Sequence, residues 1–303
     1  MLLLLEHVNL GVNDEILARK FFVDGLGCKL NTIGTNYRQV HVNLGLCQFH
    51  LPFKTRNPHD VKMASQIING WIELSTEEEL ENIRLRLVDI FQNSVEASVE
   101  NHELVVRGPF GNVFKIHTIH KVEAEAIRQL GGHSGGSDRM LGIKGVRIFC
   151  PTGTCQIISK FYETTFRAST EIQGGTCSVL FEGPCKQSLT FEEVDGVVSD
   201  NYDMDYIHQY HVACYVDSRE AFLSSFAMTQ KNGCLFVNPR FQGGPVEFAS
   251  SETENEARAC WQFRIKDIKN PMQEQQVVYQ LEHEVRSTDH VSFPIHSFES
   301  KEI

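Results

Sequence analysis

Histidines set on alternating strands are the residues of this 303-residue chain best suited to chemistry. In HVNLGV, His7, Asn9 and Gly11 alternate with Val8, Leu10 and Val12, and the two-residue period of a strand sends these sets to opposite faces. The apolar set belongs against a helix. An imidazole on the other face must then meet a metal ion, a ligand, water or another polar group. HVACYV repeats the arrangement at His211. His117 and His120 in KIHTIH, and His208 and His211, stand three apart, which on a strand turns their rings to opposite sides. With His283 and His290 in LEHEVRSTDH, they read as surface or edge residues rather than as co-ligands.

The cysteines and glycines add no second chemistry. The nine cysteines contain no CxxC and are odd in number, so neither a zinc cluster nor a disulfide framework is signalled; they read as small buried residues in a reducing cytoplasm. Cys47, Cys177 and Cys214 sit in strands without an evident histidine partner for thiol catalysis. GGHSGGSD has neither a Lys-Ser/Thr ending nor dinucleotide-fold spacing, which leaves it a linker rather than a phosphate loop.

The elements that must position these side chains recur four times. HVNLGVND at His7, WIELSTEE at Trp71, GVRIFCPT at Gly145 and HVACYVDS at His211 each give a strand, a polar turn and an amphipathic stretch, the sign of a βαβββ unit used repeatedly. In the first unit Asp14 caps a helix whose stripe is Ile16, Leu17, Phe21 and Leu26, closed by Gly25 and Gly27. In the second, the Ser75–Glu78 segment is a capping-box type of start. Ser218 caps the fourth unit's helix. The expected partition is a first domain over 1–120, a Gly/Ser-rich linker over 121–140 and a second domain over 141–303 ending in a loosely packed arm from Ser287. FQGGPVEFAS is expected to be a mobile loop.

Composition narrows the partners. With 41% hydrophobic and 22% charged residues the chain is an ordinary globular protein, and a formal charge of -11 with no basic cluster excludes nucleic acid and an anionic membrane surface. The opening leucines are cut short by Glu6, too few for a secretory or spanning segment, so a cytoplasmic protein is expected.

With LEHVNLGVND and KFFVDGLG, GPFGNVFKIH and QYHVACYV in view, the chain resembles the vicinal oxygen chelate superfamily, which includes glyoxalase I, extradiol dioxygenases, methylmalonyl-CoA epimerase and the fosfomycin and bleomycin resistance proteins. The resemblance implies an α+β fold of four βαβββ modules paired into two cup-shaped domains, with metal ligands on the first and last strands of paired units. Carried over residue by residue, it gives His7 and His50 in the first domain, where the matching positions of the second unit are Trp71 and Lys115 and Glu73 lies along the same face. In the second domain it gives His211, with Gln280 in the expected register of the last strand, Glu282 two residues later, Thr190 closing the third unit, and Gly145 where a dioxygenase would need histidine.

Tryptophan offers no lone pair through its N–H and an ammonium repels a cation, so the first site falls short of a full ligand set and the second lacks the 2-His-1-carboxylate pattern. The expectation is therefore a protein that binds a small polar or aromatic molecule through Trp71, Lys115, His211 and Gln280, with degenerate metal sites and no cofactor. Two alternatives stand beside it. One is a lyase, isomerase or dioxygenase using zinc, nickel, manganese or iron held by His7, His50 and Glu73 or by His211 and Glu282; the other is a structural subunit of an assembly, with a homodimer as the simplest oligomer.

Overall fold

The computed structural model describes residues 1–54, 62–92, 94–133, 139–197, 210–241, 250–273 and 276–295. The fold is α+β, with mixed sheets and helices. In chain order the elements are β1 (Leu2–Asn9), α1 (Glu15–Arg19), β2 (Lys29–Leu30), β3 (Gln39–Leu44), β4 (Cys47–Pro52), β5 (Gly70–Thr76), α2 (Leu80–Phe91), β6 (Glu96–Glu100), β7 (Glu103–Arg107) and β8 (Val113–Thr118). They continue with α3 (Lys121–Gln129), β9 (Met140–Cys150), α4 (Cys155–Phe166), β10 (Thr170–Gln173), β11 (Thr176–Leu180), β12 (Ser188–Glu193), β13 (His211–Val216), α5 (Arg219–Lys231), α6 (Glu254–Cys260), β14 (Gln262–Lys269) and β15 (Val277–Ser287). A strand, a helix and three strands follow one another three times; the fourth set has an isolated bridge, Leu235 to Ile265, in place of one strand.

The chain divides into two compact units, an N-terminal one holding Glu6–Val146 together with Pro294 and Ile295, and a C-terminal one holding Arg147–Phe293 together with Met1–Leu5. In the N-terminal unit the strand orders are β1-β4-β3-β2 and β5-β8-β7-β6. β1 pairs parallel with β4, setting Asn9 against His50, and β5 pairs parallel with β8, setting Glu73 against Lys115. Its core is aromatic: Phe22 lies 5.0 Å from Phe49 and 5.8 Å from Phe114, and Phe21 lies 6.0 Å from Phe91, ring centre to ring centre. Such pairs add to area burial through edge and tilted ring contacts.

Asp14 caps α1 by accepting from the Leu17 amide, but the stripe differs from the expected one. Ile16 is 78% exposed, while Phe21 and Leu26 of that stripe are buried as expected, joined by Ala18 and Phe22. A π-helical turn follows over Lys20–Gly25, where the Leu26 amide reaches back five residues to Phe21 and turns the side chains beyond it. The capping box expected at Ser75–Glu78 is also absent. β5 runs through Thr76, the Ser75 and Thr76 hydroxyls donate to the carbonyls of Gly142 and Arg139, and α2 starts after Glu79 without a side-chain cap. The linker expected over 121–140 begins as helix α3, held by buried Ala124 and Ile127.

Gly45 joins β3 to β4 with φ +59, and a Cβ built there meets the Leu141 carbonyl oxygen at 2.1 Å. Backbone cannot retreat as a flexible side chain can, so Gly45→Ala is expected to lose about 1–3 kcal/mol in chemical unfolding. A change within error would show that this turn relaxes.

In the C-terminal unit the strand orders are β14-β15-β13 and β12-β11-β10. Ser218 caps α5 by accepting from the Ala221 amide, and a full capping box, Thr253 with Glu256, starts α6. Phe222 and Phe226 of α5 pack on Phe263, and Tyr162 of α4 packs on Phe191 and His283, so Phe263 and its neighbour Ile265 on β14, with the odd-numbered residues of β15, face the helices. The arm expected from Ser287 is docked here as far as Phe293: His290 is buried and Phe293 packs 5.0 Å from Tyr215. FQGGPVEFAS from Gln242 and the glycine run from Ser134 fall outside the described residues. No helix among the described residues is long and apolar enough to cross a membrane.

Candidate functional site

Because the odd residues of β15 face the helices, its even residues Gln280, Glu282, Glu284 and Arg286 share the opposite face. β14 lies antiparallel beside it, bringing Arg264 opposite Glu284 and Gln262 opposite Arg286. β13 lies parallel on the other side, bringing His211 opposite Glu282. One face of three strands is thus polar and deeply buried, with Arg264 and Glu282 each only 1% exposed.

The partners on this face are specific. Arg264 Nη1 donates to Glu282 Oε1 at 2.7 Å and its Nη2 to Glu284 Oε2, while Arg286 Nη2 forms an ion pair with Glu284 Oε1. The Asn238 amide donates to both Glu282 oxygens at 3.0 and 3.1 Å. Arg286 also donates to Gln262 Oε1 at 2.9 Å, and the Phe241 ring lies 3.8 Å from the Arg264 guanidinium carbon. His211 Nε2 stands 3.6 Å from Glu284 Oε2. Gln280 is spent on Asp267, to which it donates at 2.7 Å.

Glu282, expected as the ligand beside His211, is therefore bound by an arginine and an asparagine, and Glu284 is the carboxylate that approaches the imidazole. His211 and Glu284 are buried donors close enough to share one ion. Spacing suits a divalent ion; charge does not. Two guanidiniums already balance the two carboxylates, and each unit charge about 4 Å from another of the same sign costs about 4 kcal/mol at an effective dielectric of ~20. With Arg264 and Arg286 in place the donor set does not fit a divalent cation.

In the N-terminal unit, His7, His50 and His41 form a column, with ring centres 3.8 Å apart at both steps and planes inclined by 25° and 10°. Imidazole lone pairs lie in the ring plane, so stacked rings point alongside one another and do not converge on a common ion. His7 Nδ1 donates to Glu6 Oε2 at 2.6 Å, and His133 Nε2 stands 2.7 Å from the other oxygen. Burial alone would raise the Glu6 pKa, but the two imidazoles outweigh it and hold the carboxyl well below its usual range. His50 Nε2 bonds to Gln48 Oε1 at 2.9 Å.

Glu73, the third expected donor, accepts from Trp71 Nε1 at 3.0 Å. Lys115 Nζ lies 4.5 Å from the Trp71 ring centre and 3.0 Å from Glu103 Oε1, so the lysine sits against the ring with its charge already balanced. An apolar hollow lined by Leu10, Val12, Phe21, Phe110 and Phe114 lies elsewhere in this unit; Asn112, its polar liner, is committed to the backbone at Gln66 and Ile68.

Gln262, Arg264, Glu284 and Arg286 of the polar face, and Asn238 beside it, are absent from the sequence reading. Arg264 and Gln262 were signalled by the alternation in WQFRIK, where Gln262, Arg264 and Lys266 interleave with Phe263 and Ile265. Glu284 is signalled by the same period that singles out Gln280 and Glu282. His283 and His290, expected at a surface or edge, are both buried, and His208 lies outside the described residues.

No family model matches the chain, and no curated protein matches it. Solved structures do. A provisionally assigned dioxygenase from Bacillus subtilis subsp. subtilis str. 168 aligns at TM-score 0.55 and 11% identity over 94% of this chain and 85% of that one. Glyoxalase I from Zea mays aligns at TM-score 0.54 and 10% identity over 93% of this chain and 92% of that one. At these identities the likeness is one of fold.

Proposed function

The chain has the fold of the vicinal oxygen chelate superfamily, and on that premise we propose that it is a small-molecule-binding protein that works without a resident divalent ion. The carrying observation is Arg264, whose guanidinium is paired with Glu282 and Glu284 on the strand where the resemblance puts a metal-binding carboxylate. Trp71, with Lys115 against its ring, is the side chain offered to a planar polar ligand. His211 and Gln280 border the polar face of the C-terminal unit and are the groups proposed to orient a ligand there.

The test has two arms. Protein purified without chelator is expected to carry far less than one equivalent of zinc, nickel, manganese or iron, and chelator is expected to leave its melting temperature unchanged. Stoichiometric metal whose removal lowers that temperature would overturn the reading. In the second arm, planar carboxylates and phenols are screened for quenching of tryptophan fluorescence; a true ligand quenches the wild type and loses the effect in Trp71→Phe, which leaves Trp261 as the remaining indole.

A second reading, a divalent-metal lyase, isomerase or dioxygenase, is favoured by the 3.6 Å approach of His211 to Glu284 and by the Glu6 carboxylate behind His7, an arrangement that orients metal-bound imidazoles. In that reading His211 and Glu284 would hold the ion, which would polarise substrate oxygens. The metal analysis decides between the two.

A further inference from the structure

Resting on the metal-independent reading above, we propose that the Arg264 guanidinium is a resident cation standing in for a divalent ion, and that Glu282, Glu284 and His211 take up such an ion once that charge is removed. Arg264 bridges two carboxylates two residues apart on β15, through separate nitrogens of one rigid fork. The Phe241 ring at 3.8 Å covers the guanidinium carbon and attracts its charge. Asn238 holds Glu282 from the other side, fixing the carboxylate whether or not the arginine is present.

A divalent ion asks for the same partners: carboxylate oxygens and an imidazole nitrogen, brought close and shielded from water. Without Arg264 the face keeps two carboxylates, one imidazole and one guanidinium, Arg286. Its charge then turns from neutral to negative. A merely structural arginine would give no such gain: its removal would weaken the fold and create nothing.

Wild type, Arg264→Met, Arg264→Lys and Arg264→Met/Glu282→Gln are titrated with Zn²⁺, Ni²⁺ and Mn²⁺ by calorimetry and thermal shift. Wild type and Arg264→Lys are expected to show no saturable binding. Arg264→Met is expected to bind one equivalent at least roughly 100-fold tighter than wild type, and the added Glu282→Gln to remove most of that gain. Folded Arg264→Met that binds no tighter than wild type overturns the inference and leaves the metal-independent reading standing. Wild type that itself binds one equivalent sinks both. If Arg264→Met is recovered unfolded, it is refolded with each ion: return of the native far-ultraviolet signal with any of them supports the inference, and failure with all of them overturns it.

Discussion

Replacing Glu284 with leucine is expected to remove about 3–5 kcal/mol of stability, the range seen when one member of a buried charge pair is deleted. Both of its oxygens carry a guanidinium, from Arg264 and from Arg286, and the residue is 3% exposed. Leucine fills a similar volume, so the loss comes from charge rather than from a cavity. Arg286, itself 3% exposed, would lose that carboxylate while its bonds to two neutral groups, Gln262 and the Tyr215 hydroxyl at 3.4 Å, remain. A buried cation without its carboxylate is worse than no cation.

Hence Glu284→Leu/Arg286→Met is expected to regain most of the lost stability, although it removes more polar contacts than the single change. The measurement is the denaturant midpoint of wild type, both single variants and the double variant, with the slope checked for constancy. A loss below about 1 kcal/mol in Glu284→Leu would mean that water screens the network, and the case against a divalent ion would fall with it.

What the sequence showed of this site follows from the range of the forces involved. The caps at Asp14 and Ser218 join atoms three residues apart, so residue type alone announces them. Strands β1 and β13 are legible for a similar reason, since alternation is local. The π-helical turn is not, because Lys20–Gly25 has the composition of an ordinary helix, and it is packing of Phe21 and Phe22 on Phe49 and Phe114 that accompanies the wider turn. Arg264 and Glu284 are separated by 20 residues, and their meeting depends on the register of β14 against β15, which shifts at Ile265/Asp267 and again at Ile268/Lys269. Alternation tells which residues share a face and leaves open which of them are neighbours. That is why Glu282 is the carboxylate expected beside His211, opposite it in the parallel pair, while Glu284 is the one whose oxygen reaches the ring.

The second large effect is expected from acid, through a histidine on the other face of β15. His283 Nδ1 lies 2.8 Å from the Leu281 carbonyl, an acceptor, so this nitrogen carries the hydrogen. Its Nε2 then accepts from the Tyr162 hydroxyl at 2.5 Å, and a proton placed there would displace that bond inside a fully buried site. Burial accordingly pushes the His283 pKa down from 6.5 to about 4. The unfolded chain takes up this proton below about 6.5 and the folded chain only below about 4, so between them the unfolded state binds more protons. Stability from this group is whole above the upper value and declines as pH falls, by ~3 kcal/mol once the lower value is reached. Glu6 acts in a lower window: its carboxyl is held well below 4.5, so its contribution is present above that value and is lost as pH drops further. Denaturant midpoints measured from about pH 7 down to about pH 4.5 therefore report on the histidine with little interference. His283→Gln keeps an acceptor for Tyr162 and cannot titrate, so its midpoint is expected to stay nearly level across that range while the wild type falls. Equal slopes in the two proteins would show that His283 is charged or solvated in the native state, and would withdraw it as a source of acid sensitivity.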